Sequence, residues 1–261
     1  MAGSDKNLIY RVVGWTVSLC YPRLTLQGLD RIPDEPVILV GNHCQAHGPL
    51  ASVLRIPLPH YTWCAGQMLR LKEVPAYAFQ DFWSQKPKWT HPFYKLLSYL
   101  IAPLAAFIFP RSKTVPVYRD TRILTTYRET VRLLREGNSM VIFPEKDERL
   151  NQIVYRFQNR FLDVAKLYYK KTGKALAFVP MYLAPALKTL TFGDPIRYDP
   201  AEPMETQRER LGQALEAAVT ALGEAQPPHR VVPYRNIPKK LYPMNRRTEV
   251  STNEKTDRGL Q

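Results

Sequence analysis

Cysteine is scarce: Cys20, Cys44 and Cys64 are the only three in 261 residues. An odd trio cannot pair completely, which excludes a disulfide scaffold. Nothing resembles a secretory signal with a small-residue cleavage site, so a reducing, cytoplasmic compartment is expected. Acidic residues are also in short supply, 23 against 37 Lys and Arg, leaving a formal charge of +14. That surplus favours an anionic partner: nucleic acid, phospholipid headgroups, coenzyme phosphates or an acidic carrier protein. No recognised nucleic-acid motif is present, so no nucleic acid is expected. Uncharged apolar runs of the ~18 residues needed to cross a bilayer are missing too. The nearest, Leu96 to Pro110, is broken by Ser98, Tyr99 and Pro103, and such a chain is expected to lie on a membrane rather than through it. No internal repeat is visible, which argues against a solenoid.

What is present is the composition of a globular protein, 45% hydrophobic and 23% charged, in a length that suits one α/β domain. Leu8 to Cys20 is an apolar helix carrying Arg11 and Trp15. Pro36 to Gly41 is short, continuous, apolar and β-branched, the pattern of a buried strand, and it delivers a polar loop at Asn42 and His43. Further strands are expected at Tyr61–Ala65, Thr114–Tyr118, Met140–Phe143, Leu176–Val179 and Thr189–Phe192. Phe93–Phe109 reads as a long apolar helix. Ile123, Leu124, Tyr127, Val131 and Leu134 share one face of another helix, opened by Asp120 and Thr121 and closed by Gly137. Phe157, Phe161, Val164, Ala165 and Tyr168 recur at helical spacing after a polar loop from Lys146 to Asn151, and Leu211, Leu215, Ala218 and Leu222 define a last amphipathic helix.

Strands alternating with helices predict a single α/β domain, a mixed sheet flanked by helices, with functional loops at the C-terminal strand ends. Residues 1–29 are expected to be a helical lead, either membrane-interfacial or packed as an ordinary core helix, and residues 30–224 the domain. Residues 225–261 hold five Pro, eight Lys or Arg and three Asp or Glu without periodicity, which predicts an extended basic tail.

Three polar segments follow apolar strands: Gly41–Pro49, Val115–Arg119 and Phe143–Arg149. A histidine at a strand end, His43, suits a general base because its ordinary pKa lets it accept a proton near neutrality. Arg119 offers a rigid fork of donors for phosphate, and Glu145 is a carboxylate able to position the base. His43 and His47 stand at i, i+4 but lack the glutamate of a His-Glu-x-x-His site, so no metal is expected. Cys44 points opposite to His43 on an extended strand and is expected to be an inert thiol. The stretch Asp81–His91 interleaves Trp83 and Trp89 with Lys86 and Lys88, a mixture suited to lipid headgroup depth.

The order of these segments resembles the glycerolipid acyltransferases typified by 1-acylglycerol-3-phosphate acyltransferases, over roughly residues 30 to 200. Asn42-His43 with Gly48-Pro49 is similar to the family's Asn-His-x4-Asp-Pro block, and Val115–Arg119 to its second block, whose closing arginine matches Arg119. Phe143-Pro-Glu145 resembles the start of the Phe-Pro-Glu-Gly-Thr-Arg block, Val179–Tyr182 the valine-proline block, and Phe192–Ile196 the strand end that follows it. The resemblance implies acyl transfer from acyl-CoA or acyl carrier protein to a lysophospholipid-like hydroxyl, with no resident cofactor. Membrane phospholipids are the implied partner, met from the cytoplasmic side. It implies His43 as the base, and Asn42, Arg119, Lys146 and Arg149 as substrate-binding residues.

The sequence departs from the family at the aspartate that holds the histidine, where Gly48 stands. Loss of an orienting carboxylate costs about four orders of magnitude in a catalytic triad. Glu145 is the expected substitute. A degenerate member that keeps the lipid or acyl groove as a binding module is the alternative.

Overall fold

The computed structural model describes residues 7–84, 86–118 and 120–246. In chain order the strands are β1 (Thr25–Gln27), β2 (Val37–Gly41), β3 (His60–Ala65), β4 (Thr114–Val117), β5 (Ser139–Ile142), β6 (Glu145–Leu150), β7 (Tyr155–Phe157), β8 (Ala177–Ala184), β9 (Thr189–Phe192) and β10 (Ile196–Arg197). The α-helices are α1 (Leu8–Cys20), α2 (His47–Arg55), α3 (Val74–Ala78), α4 (His91–Ile108), α5 (Ile123–Arg135), α6 (Asp163–Thr172) and α7 (Met204–Ala225). Eight strands form one mixed sheet in the order β1-β9-β8-β2-β5-β3-β4, with β10 also on β8. The α/β fold expected from the alternation of strands and helices is thus the fold observed.

The centre of the sheet is parallel and buried on both faces, as its continuous apolar strands require. Along β2, Ile38 and Val40 enter one core beneath α5, α6 and α7, while Val37 and Leu39 enter the other. All four are fully buried, each contributing about 1.5–3 kcal/mol by leaving water. Val40 lies opposite Ile142 on β5 and Pro180 on β8. The polar loops after β2 and β5 therefore emerge side by side at one sheet edge.

Gly137 and Gly173 end α5 and α6 with positive φ, at 86° and 70°, the left-handed conformation that glycine takes without a Cβ penalty.

Two helices carry large apolar side chains outward. In α4 the small Ser98 and Ala102 face inward on Val74 and Ala78 of α3, while Phe93, Leu96, Leu100 and Leu104 are exposed. In α1, Leu8, Ile9, Val12, Trp15 and Leu19 are exposed. Arg55 holds the end of α1, donating to the carbonyls of Ser18 at 2.8 Å and Pro22 at 3.0 Å. Lys88–Arg111, with a mean hydropathy of 1.5, is long and apolar enough to cross a membrane by length and composition alone. This corrects the estimate from uninterrupted runs: Ser98, Tyr99 and Pro103 interrupt the apolar sequence without ending the helix.

Three local expectations are also corrected. The polar loop 146–151 is mostly strand: β6 pairs antiparallel with β7. The helix expected from Phe157 starts at Asp163, because Phe157 belongs to β7. The extended basic tail folds back on the domain as far as Arg246. There Asn245 Nδ2 donates to the carbonyls of Gly223 and Gln226 at 3.0 and 3.1 Å, and Asn245 Oδ1 accepts the His229 N–H at 2.9 Å. His229 Nε2 meets the Tyr182 hydroxyl at 2.9 Å. These are buried polar groups satisfied by specific partners.

Candidate active site

The loop after β2 is a tight, fully bonded turn. Asn42 locks it to β8: its Oδ1 accepts from Leu183 N at 2.8 Å and its Nδ2 donates to Leu183 O at 2.9 Å. A second contact from Nδ2 reaches Cys44 Sγ at 2.8 Å. Both polar atoms of Asn42 are therefore engaged within the fold. Cys44 and Gln45 take left-handed φ values of 48° and 56°. The chain then closes with His47 N on Cys44 O at 3.0 Å and Gly48 N on His43 O at 2.9 Å. Cys44 is buried, and burial pushes its thiol pKa well up. It is a packing group rather than a nucleophile.

Glu145 reaches the same edge from the end of β5, but it does not hold the His43 ring. Its Oε1 accepts the His43 main-chain N–H at 2.6 Å and its Oε2 the Tyr155 N–H at 2.8 Å. The expected imidazole partner is instead a staple between the histidine loop and the β6–β7 hairpin. Burial raises its pKa to about 7, opposed by the two main-chain donors and reinforced by Glu216.

The His43 ring stands edge-on to Phe143 and Tyr234, with centroids 5.3 and 5.2 Å away. Its Nδ1 is buried with no hydrogen-bond partner, and burial lowers its pKa to about 4, opposed by the Gln45 backbone. The ring is neutral at physiological pH and able to accept a proton, and among the described residues no carboxylate is bonded to it. Gly48 explains why. A Cβ there would lie 2.4 Å from His43 O and 3.0 Å from Phe143 Cε1, so the loop in this closure admits no side chain at the position where the resemblance places aspartate.

Of the expected phosphate ligands, Lys146 and Arg149 stand three residues apart on β6. Arg119 lies outside the described residues. Lys146 pairs with Glu148. Arg149 is carried along β6, about 13 Å from Glu145 at the rise of a strand. Other cations meet near the end of β4, where Arg122 stacks on Tyr118 at 4.1 Å and Arg70 lies 5.7 Å from the same ring. Among the described residues no group of three His, Cys, Asp or Glu is placed to hold a metal ion.

Sequence reading missed Phe143 and Tyr234 as neighbours of the base. Phe143 was legible as the residue beside Glu145, whereas nothing local marks Tyr234, which reaches the site from a segment 191 positions further along the chain.

No family model matches the chain, and no curated protein matches it. Solved structures do: one is the crystal structure of the 1-acyl-sn-glycerophosphate (LPA) acyltransferase PlsC from Thermotoga maritima. It is 15% identical, with a TM-score of 0.45, over 86% of this chain and 85% of that one.

Proposed function

We propose that this chain is an O-acyltransferase of a membrane surface, moving a fatty acyl group from acyl-CoA or acyl carrier protein to the hydroxyl of a lysophospholipid-like acceptor. The observation that carries the reading is His43, a neutral imidazole at the C-terminal edge of the central strands with its main chain fastened by Glu145. The acceptor oxygen attacks the thioester carbonyl while its proton passes to the imidazole. The C–S bond breaks, and the departing thiolate takes the proton from the imidazolium.

Membrane docking is part of the proposal. The exposed apolar faces of α1 and α4 supply contact area, and the surplus of basic residues supplies attraction to an anionic cytoplasmic leaflet, about 1 kcal/mol per cation near the surface. The packing of Ser98 and Ala102 against the domain favours a helix lying in the interface over one crossing it.

A second reading is favoured by the orphan Nδ1 and by Gly48: a silent module that binds lipid or acyl chains without turnover. Thioester consumption across a panel of lysolipid acceptors, measured beside acyl-CoA affinity, separates the two. Turnover that vanishes in His43→Ala supports the enzyme, affinity without turnover supports the module, and neither overturns both.

A further inference from the structure

Residues 232–242 form a loop pinned at its two ends. Val231 N donates to Pro243 O at 2.8 Å and Asn245 N to His229 O at 3.0 Å, so the ends are held while the middle crosses the site. The middle touches three places. Tyr234 stands edge-on to the His43 ring. The Tyr242 hydroxyl accepts from Gln45 Nε2 at 2.9 Å. Asn236 Nδ2 donates to the Phe82 carbonyl at 2.8 Å.

The last contact leads to the exposed apolar helix. Phe82 meets Trp83 at 5.9 Å, and Trp83 stacks on Tyr94 of α4 at 5.6 Å. A continuous chain of contacts thus runs from the inward face of α4, at Tyr94, through Phe82 and Asn236 to Tyr234 beside His43. Physical coupling requires such an element with two arrangements and a ligand that favours one of them. The loop supplies the second requirement through Arg235, Lys239 and Lys240, all exposed, whose charges gain contact with anionic headgroups when the loop lifts.

The closed arrangement is unsuited to the reaction. Phe143 and Tyr234 stand edge-on to the His43 ring and its Nδ1 is buried, so that nitrogen is closed to an acceptor hydroxyl. We propose that residues 232–242 are a lid over His43 that opens when the apolar face of α4 meets an anionic lipid surface. The proposal rests on the membrane docking argued above and adds its consequence for the site.

The experiment labels imidazoles with diethyl pyrocarbonate and reads each histidine by peptide mass spectrometry. The full chain is tested alone, with phosphatidylglycerol–phosphatidylcholine vesicles, and with phosphatidylcholine vesicles, and each sample is also sedimented. His43 labelling is expected to rise at least tenfold on the anionic vesicles. In solution, Tyr234→Ala and Asn236→Ala should each speed it at least fivefold, while the buried His60 stays unlabelled and reports an intact fold. Protein that sediments with anionic vesicles at an unchanged His43 rate overturns the lid and leaves the docking intact. Failure to sediment with any vesicle overturns the docking and the trigger with it. Variants that label His43 no faster than wild type while His60 stays protected also overturn the lid.

Discussion

Gly48 is where the geometry makes its sharpest demand. Replacing it by alanine places a Cβ 2.4 Å from His43 O and 3.0 Å from His43 C, about 1 Å inside an ordinary contact of 3.5–4.0 Å. The atoms in the way are main chain and cannot swing aside. His43 O is bonded to Gly48 N, and His43 N to Glu145. Overpacking of this kind costs about 1–3 kcal/mol. Against it stands about 1 kcal/mol gained from alanine's better helix propensity and its less disordered unfolded state. A net loss of up to about 2 kcal/mol is expected, lowering Tm by up to about 8 °C for a chain of this size. Gly48→Asp adds a carboxyl group with no bonding partner provided for it, so it should lose more stability and gain no turnover. Thermal unfolding and thioester consumption, measured on both variants, test this. An aspartate variant that keeps its Tm and turns over faster than wild type would refute the reasoning, because the loop would then be able to reopen to the spacing that the family resemblance implies.

His43→Ala should abolish turnover at little cost in stability, since the ring leaves a buried nitrogen unpaired; circular dichroism and a turnover assay on one preparation check both. His43 and Glu145 should also have opposite pH linkages. The histidine, pulled from 6.5 to about 4 on folding, adds stability as pH rises between those values, and the carboxyl, raised from 4.5 to about 7, removes stability as pH rises between those. Each displacement corresponds to about 3 kcal/mol as an order of magnitude, so the two offset each other in wild type. Urea unfolding between pH 4.5 and 6.5 should therefore show stability falling with pH in His43→Ala and rising with pH in Glu145→Gln. Glu145→Gln should in addition lose about 1–3 kcal/mol near neutrality, because an amide can present only one acceptor to the two main-chain donors, read as a lower urea midpoint. Leu100→Glu together with Leu104→Glu should weaken co-sedimentation with anionic vesicles at least tenfold without changing the circular dichroism spectrum.

Much of the fold was legible because its strands and helices announce themselves by periodicity. The run Val37 to Gly41 could only be buried on both faces, and α1 was bounded at Leu8 and Cys20 from composition alone. The hairpin of β6 and β7 was not legible: Glu-Lys-Asp-Glu-Arg carries no apolar alternation, and its pairing is anchored by a carboxylate bonded to Tyr155 N. The fold-back of residues 226–246 depends on Asn245 and His229, single polar residues whose partners lie 16 to 47 positions away. Proximity of His43 to Glu145 followed from the parallel strands that deliver them. Which atom of one meets which atom of the other did not, because hydrogen-bond direction is decided by loop conformation, here two consecutive left-handed residues.

The pairing of β2 with β8 has a consequence for how the chain comes into being. Val37 is matched with Ala177, 140 positions later, and Thr25 with Thr189, so the central sheet cannot close until most of the polypeptide has been synthesised. Contacts this distant in sequence make folding slow. At about 5–20 residues per second, α1 and α4 leave the ribosome several seconds or more before β8 exists to complete the sheet. During that interval the two apolar helices have no finished core to rest on, and a nearby membrane offers them the earliest burial. Under the proposed docking, engagement with lipid would be an event of synthesis, and the histidine loop, which needs Leu183 to clamp Asn42, would be assembled on a chain already at the membrane.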